Sequence, residues 1–276
     1  MFQERILRMS TDSSLKVWRE AVSERQDWEG DIVELWEENG TPSVFSVPLG
    51  VHVGEGRVVQ LSIDQSAFAH GAIYGGVGVG KSVALDTLLT GLGVKYPPEV
   101  VEFVFASGKG APVEASQLPH TREVFDVSSP DQVEAFSDFV GGLIESRQRF
   151  AEERDIMLVL PSDLPAVFVV VEEVSGVSGL DDVLEKVVTV GRSLGVHLIL
   201  VGQQVNGRVF PSEVVNNIGW AVGFRPEDGD VFSDNVGALP EKVVPGEGFL
   251  LTQSFGEAIR VFNFGEWEDV FQGQKG

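Results

Sequence analysis

Apolar positions along the chain fall into two textures. The runs at 72–74, 100–106, 166–171, 196–201 and 220–224 are apolar almost throughout and rich in Val, Ile, Leu and Phe. Runs of that length without polar alternation mark strands covered on both faces. Between them apolar side chains recur every three or four positions, which predicts helices over 81–93, 130–154 and 181–194. A last pair of strands is expected near 248–251 and 258–264. The second helix carries a start signal: Ser129 as N-cap, Pro130 at the first helical position and Gln132 as capping-box partner. Strand and helix in alternation predict an α/β fold, a mostly parallel sheet with helices on both faces.

Upstream the texture differs. Residues 43–63 alternate as strands do, whereas residues 1–40 show two amphipathic helical patterns, Leu15, Trp18 and Val22, then Ile32, Leu35 and Trp36. Asn39-Gly40-Thr41-Pro42 breaks the second pattern. The expected organisation is therefore a short N-terminal helical extension over 1–42 followed by one domain over 43–276, with a β-rich lead-in at 43–70 and a core at 71–264. The extension would pack on the main domain or dock a neighbour.

Composition narrows the function. A hydrophobic share of 43% supports a sizeable core and excludes a disordered chain. No stretch is long and apolar enough for an ordinary transmembrane helix, and no secretory h-region opens the chain. The chain has no cysteine, which removes disulfides, zinc-thiolate sites and thiol catalysis and fits a cytoplasmic setting. The four histidines show no metal-ligand spacing and read as structural. A net charge of −22 repels a phosphate backbone unless the few cations are gathered into one channel, so unaided DNA binding is disfavoured. Simple solubility accounts for the same charge.

The sharpest motif is Gly75-Gly76-Val77-Gly78-Val79-Gly80-Lys81-Ser82, followed by Val83, between an apolar strand and a helix. It fits the phosphate-loop pattern in full. The glycines let backbone N–H groups turn inward as an anion nest, and the helix beginning near Lys81 adds its positive end. Lys81 would reach the β- and γ-phosphates of ATP, and the Ser82 hydroxyl would ligate Mg²⁺. The competing reading is a glycine-rich loop that binds nothing.

Downstream, the apolar run 166–171 ends in Glu172 and Glu173. In P-loop ATPases the first acid at this strand end holds Mg²⁺ and the second positions the attacking water, which would assign Glu172 to the metal and Glu173 to catalysis. Two carboxylates closing a buried strand in solvent is the bland alternative. The run Gly191-Arg-Ser-Leu-Gly-Val-His-Leu-Ile-Leu-Val-Gly-Gln203 closes a further strand in amides.

Together these segments resemble the FtsK/SpoIIIE ATPases, in particular the EccC/EssC branch of type VII secretion. The resemblance takes in the phosphate loop and its tail, Arg147-Gln-Arg149, Leu118-Pro-His120, and Arg225 with the acidic stretch behind it, and covers roughly residues 44–264. It implies a RecA-like motor fold, ATP and Mg²⁺, sister subunits in a ring, a translocated polymer and a membrane-anchored secretion subunit. Gln203 looks like the polar sensor of the γ-phosphate, with a loop-bonded amide as the alternative. Lys109 resembles the lysine of the family's DFKGG segment.

Three departures stand out. Ser107 and Glu172 stand where the family has aspartate, Gln204-Val205 replaces Arg-Pro, and the stretch 217–224 lacks the family's trans-acting arginine. Arg225 is then an interface cation or a surface partner of Asp228 or Asp230. The expected function is an ATP-binding motor or regulatory module of type VII-like protein export, with weak hydrolysis. A DNA translocase of the same superfamily and a non-hydrolysing scaffold are the alternatives.

Overall fold

A computed structural model describes residues 20–22, 39–110, 118–236 and 244–263. Of the N-terminal helical patterns only Val22 falls within these, helical and buried; Leu15, Trp18, Ile32, Leu35 and Trp36 lie outside the described residues. The strands are β1 (Val44–His52), β2 (Val58–Asp64), β3 (Gly71–Gly75), β4 (Val101–Ser107), β5 (Thr121–Asp126), β6 (Ala166–Glu172), β7 (Val196–Gly202), β8 (Trp220–Phe224), β9 (Glu247–Thr252) and β10 (Gly256–Val261). The helices are α1 (Lys81–Lys95), α2 (Pro130–Arg154), α3 (Asp181–Val190) and α4 (Ser212–Asn216).

All ten strands join one sheet in the order β2-β1-β10-β9-β8-β3-β7-β6-β4-β5. From β5 to β8 every pairing is parallel; from β8 to β2 every pairing is antiparallel. Strand parity divides the core. Ala72, Tyr74, Val167, Val169, Val171, Leu198 and Leu200 face α2 and α3. Ile73, Phe168, Val170, Ile199 and Val201 face the opposite way, in the cluster that holds Leu85, Leu88 and Leu92 of α1. Helices therefore cover both faces, and each fully buried Val, Leu or Phe contributes roughly 1.5–3 kcal/mol through removal from water.

Several expectations need correction. The helix expected over 181–194 ends as an α-helix at Val190 and tightens to a 3-10 turn, Gly191–Leu194. The narrower turn delivers the chain into β7, with Gly191 against the Val196 carbonyl. Ser129 and Pro130 start α2 as expected, but the capping box with Gln132 does not form; Gln132 N–H donates instead to the Ser129 carbonyl. That end of α2 is exposed, so water satisfies the first-turn amides. The strand expected to 264 ends at Val261, and residue 264 lies outside the described residues. The strand β5 and helix α4 were not anticipated: β5 sits at the sheet edge and its Thr-Arg-Glu start reads as loop.

Candidate functional site

Parallel strands all end on one edge of a sheet, and their register decides what stands beside what. Tyr74 pairs with Gly202, Glu172 with Val201, Ser107 with Glu172, and Gly75 with Phe224. The residues that follow each strand (Gly76, Gln203, Glu173, Gly108 and Arg225) emerge side by side at the carboxyl edge. Strands so paired lie about 4.8 Å apart.

The phosphate-loop residues 75–83 run from β3 into α1. Gly75 has φ of 147°, and a Cβ there would sit 2.5 Å from the Phe224 carbonyl oxygen, so only glycine fits. Gly80 caps α1 with φ of 121°. Val77 and Ser82 are exposed, Val79 and Val83 half-buried. Among the described residues no backbone N–H from Gly76 to Val83 has an acceptor. That set of free donors at a helix N-terminus suits a phosphate. Lys81, buried, folds back and donates to the carbonyls of Gly75 and Gly76, each at 2.9 Å.

The acid pair closes the site from β6. Glu173 adopts a left-handed backbone, φ 52°, while its N–H donates to Val201 at 2.7 Å and extends the β6–β7 ladder. Such a conformation costs a non-glycine residue about 1 kcal/mol or more, and the surrounding bonds hold it there. Its carboxylate Oε1 lies 3.6 Å from Lys81 Nζ and 3.1 Å from Lys109 Nζ. Glu172 is half-buried, and burial followed by the Glu173 charge pushes its carboxyl above the ordinary value, against the pull of Lys109 and Lys81. Among the described residues no group of three or more acids and histidines could hold a metal alone.

The remaining candidates divide. Gln203 is exposed past the end of β7, and its side chain has no hydrogen-bond partner among the described residues. Gln204 donates to Glu227 at 2.8 Å. Arg225, exposed with φ of 55°, pairs with neither Asp228 nor Asp230. Asp230 is turned inward instead, accepting from the N–H groups of Val205 and Glu227 and from the Asn206 amide, and burial raises its carboxyl. The arginine-free stretch is mostly β8, whose residues are all buried in the sheet. The sequence did not suggest this Asp230 clasp, nor the bond from Tyr74 Oη to the Val231 carbonyl at 2.6 Å. Their partners are distant in the chain, and no local pattern marks them.

The FtsK/SpoIIIE family model matches residues 35–161. The type VII secretion system protein EssC of Staphylococcus aureus is 26% identical over 216 residues, covering 72% of this chain and 14% of that protein. The chain thus spans about a seventh of that relative's length. Among solved structures, the cytoplasmic domain of the Thermomonospora curvata type VII secretion ATPase EccC matches with a TM-score of 0.73 at 22% identity, over 88% of this chain and 31% of that one. ATPases 2 and 3 of that EccC, in complex with a signal sequence peptide, match with a TM-score of 0.64 at 22% identity, over 84% and 46%. The chain thus carries a match to the FtsK/SpoIIIE family model, is homologous to the type VII secretion ATPases EssC and EccC, and shares the fold of the EccC ATPase domains.

Proposed function

We propose that this chain is an ATP-binding module that powers or gates the export of a protein substrate in a type VII-like secretion system. The observation that carries the reading is the row of acceptor-free N–H groups from Gly76 to Val83 beside a lysine drawn back onto the loop. Such a loop has its donors ready and its cation parked. In this reading residues 75–83 cradle the phosphates, and Lys81 swings from the Gly75 and Gly76 carbonyls to the β- and γ-phosphates. Ser82 and Glu172 hold Mg²⁺, which when bound neutralises charge on those phosphates. Glu173 orients a water and takes its proton, and the Gln203 amide senses the γ-phosphate from the neighbouring strand end.

Hydrolysis is expected to be slow. An arginine supplied to the transition state contributes ~10³–10⁵ in rate, and the stretch 217–224 has none. Arg225 at the carboxyl edge, without an ion-pair partner among the described residues, or a cation from a sister subunit must supply that charge. The assembly we favour is a ring or stack of ATPase modules docked on a membrane-anchored subunit at the cytoplasmic face; among the described residues no helix is long and apolar enough to cross a membrane. Residues 43–276 then form the ATPase unit and residues 1–42 its attachment. The signal-peptide complex of EccC supports a peptide as the substrate's handle.

Turnover at high subunit concentration tests the catalytic part. Glu173→Gln is expected to lower ATP hydrolysis about 10²-fold while ATP still binds; equally poor turnover by both proteins would favour a non-hydrolysing scaffold. Pull-down of helical-hairpin substrates or their C-terminal tails tests the partner, and capture in no nucleotide state sinks the export reading. DNA-stimulated hydrolysis that falls steeply with salt would replace it with a DNA translocase.

A further inference from the structure

The phosphate loop and the acid pair are joined by a third side chain that belongs to neither. After β4 the chain makes a tight turn at residues 107–110, clamped to the acid pair through its backbone. Gly108 N–H donates to the Glu172 carbonyl at 2.9 Å. A Cβ on Gly108 would lie 2.4 Å from the Glu173 carbonyl oxygen, so no larger residue could approach as closely. The Ser107 hydroxyl accepts the Lys109 N–H at 3.2 Å and fixes the next step of the turn. This sets the Lys109 ammonium on Glu173 Oε1 at 3.1 Å, the oxygen that Lys81 also approaches at 3.6 Å.

Two cations therefore share one carboxylate oxygen, and they are not equivalent. The Glu173 side chain is only 9% exposed, and so is an acid that requires a partner; Lys109 is 63% exposed and reaches in from solvent. Lys81 is buried and has two loop carbonyls besides. A polyphosphate entering the loop draws Lys81 away from Glu173, because its negative charge is larger and its oxygens lie among the free N–H groups. A buried carboxylate left without a cation is costly.

We propose that Lys109 is the positioning residue for Glu173: nucleotide binding exchanges a two-lysine clamp on that carboxylate for a one-lysine clamp, and Lys109 holds Glu173 in place. The proposal rests on the reading of residues 75–83 as an ATP site. It makes Lys109 act on nucleotide only through Glu173, which a double-mutant cycle on ATP affinity reads directly and without any need for turnover.

The experiment measures the Kd of Mg·ATP for the full chain by calorimetry, in wild type, Lys109→Met, Glu173→Gln and the double variant, with melting curves to confirm folding. Lys109→Met is expected to weaken ATP binding about five- to tenfold, near the effect of losing one charge-assisted hydrogen bond. In the Glu173→Gln background the same substitution is expected to change Kd by less than about twofold, since no carboxylate is left to strand. Lys109→Arg should restore most of the affinity. An equal loss in both backgrounds means that Lys109 touches the nucleotide itself and overturns the proposal. So does an unchanged Kd for Lys109→Met in the wild-type background. A wild type that binds no ATP sinks the nucleotide reading, and this inference with it, a result distinct from ATP bound equally well with or without Lys109.

Discussion

The two edges of the parallel sheet bury polar groups for opposite ends. At the amino edge Arg147 reaches from α2 to donate to the carbonyls of Leu194 and Pro165, where β7 and β6 begin. His70 accepts from the Leu198 N–H at 3.0 Å, and His197, stacked on Phe168, bonds the Ala69 carbonyl at 2.9 Å. Each ties one strand or loop to another and is sealed from water. At the carboxyl edge, among the described residues, the buried Lys81 is bonded only to its own loop and an acid, while N–H groups beside it have no acceptor. Buried polarity at the first edge holds the strands still; at the second it is left exchangeable, and exchange is what a ligand site needs.

Substitutions should therefore separate stability from binding. Arg147→Met strands two carbonyls at the amino edge and is expected to cost about 3 kcal/mol of unfolding free energy in urea titration. ATP affinity, measured where the variant is still folded, should stay within about twofold. Loss of affinity there would show that the edges are coupled. Lys81→Ala should do the reverse, weakening ATP binding roughly 10²-fold through loss of its charge-assisted bonds to phosphate. An Lys81→Ala variant that binds ATP normally would erase the contrast.

Acid should strike the amino edge first. Burial holds His70 down at about 3 and His197 at about 4, from an ordinary 6.5. The unfolded chain thus takes up protons below about pH 6.5 that the folded chain refuses, so stability is complete above that pH and falls as pH drops toward 4. Each histidine contributes about 1.4 kcal/mol per pH unit to that slope. Melting temperature against pH should flatten when either is replaced by Asn, which can keep the Nδ1 bond. Glu172 and Asp230, raised by burial, oppose the fall at the acidic end. The smallest effect belongs to neither edge. Lys186 and Glu145 pair at 3.0 Å between exposed faces of α3 and α2, and Lys186→Ala should change stability by no more than about 0.5 kcal/mol.

Much of the sheet was legible because its strands are covered on both faces and read as unbroken apolar runs; β8 begins and ends where the run 220–224 does. The long helix α2 spans 130–154 as its period required, although its Ser129 cap bond is absent. The edge strand β5 escaped because only one of its residues, Phe125, is fully buried. In the site, the glycines and Lys81 were legible because a turn of that kind imposes residue types at fixed spacing. The roles open to Arg225 were not legible. Whether it met an aspartate depended on Asp230 turning inward to Val205, Asn206 and Glu227.

By itself the sequence determined the alternation of strands and helices, the phosphate loop between β3 and α1, and an acid pair at the end of a buried strand. These are local facts, since backbone conformation and the burial of one strand depend on near neighbours and on pattern. Only the tertiary structure decided that β1 and β2 complete the main sheet, and that Lys81, Lys109 and Glu173 share one carboxylate oxygen. Strand order and register bring those three side chains together from separate strand ends. Nothing in the spacing of residues along the chain encodes that order.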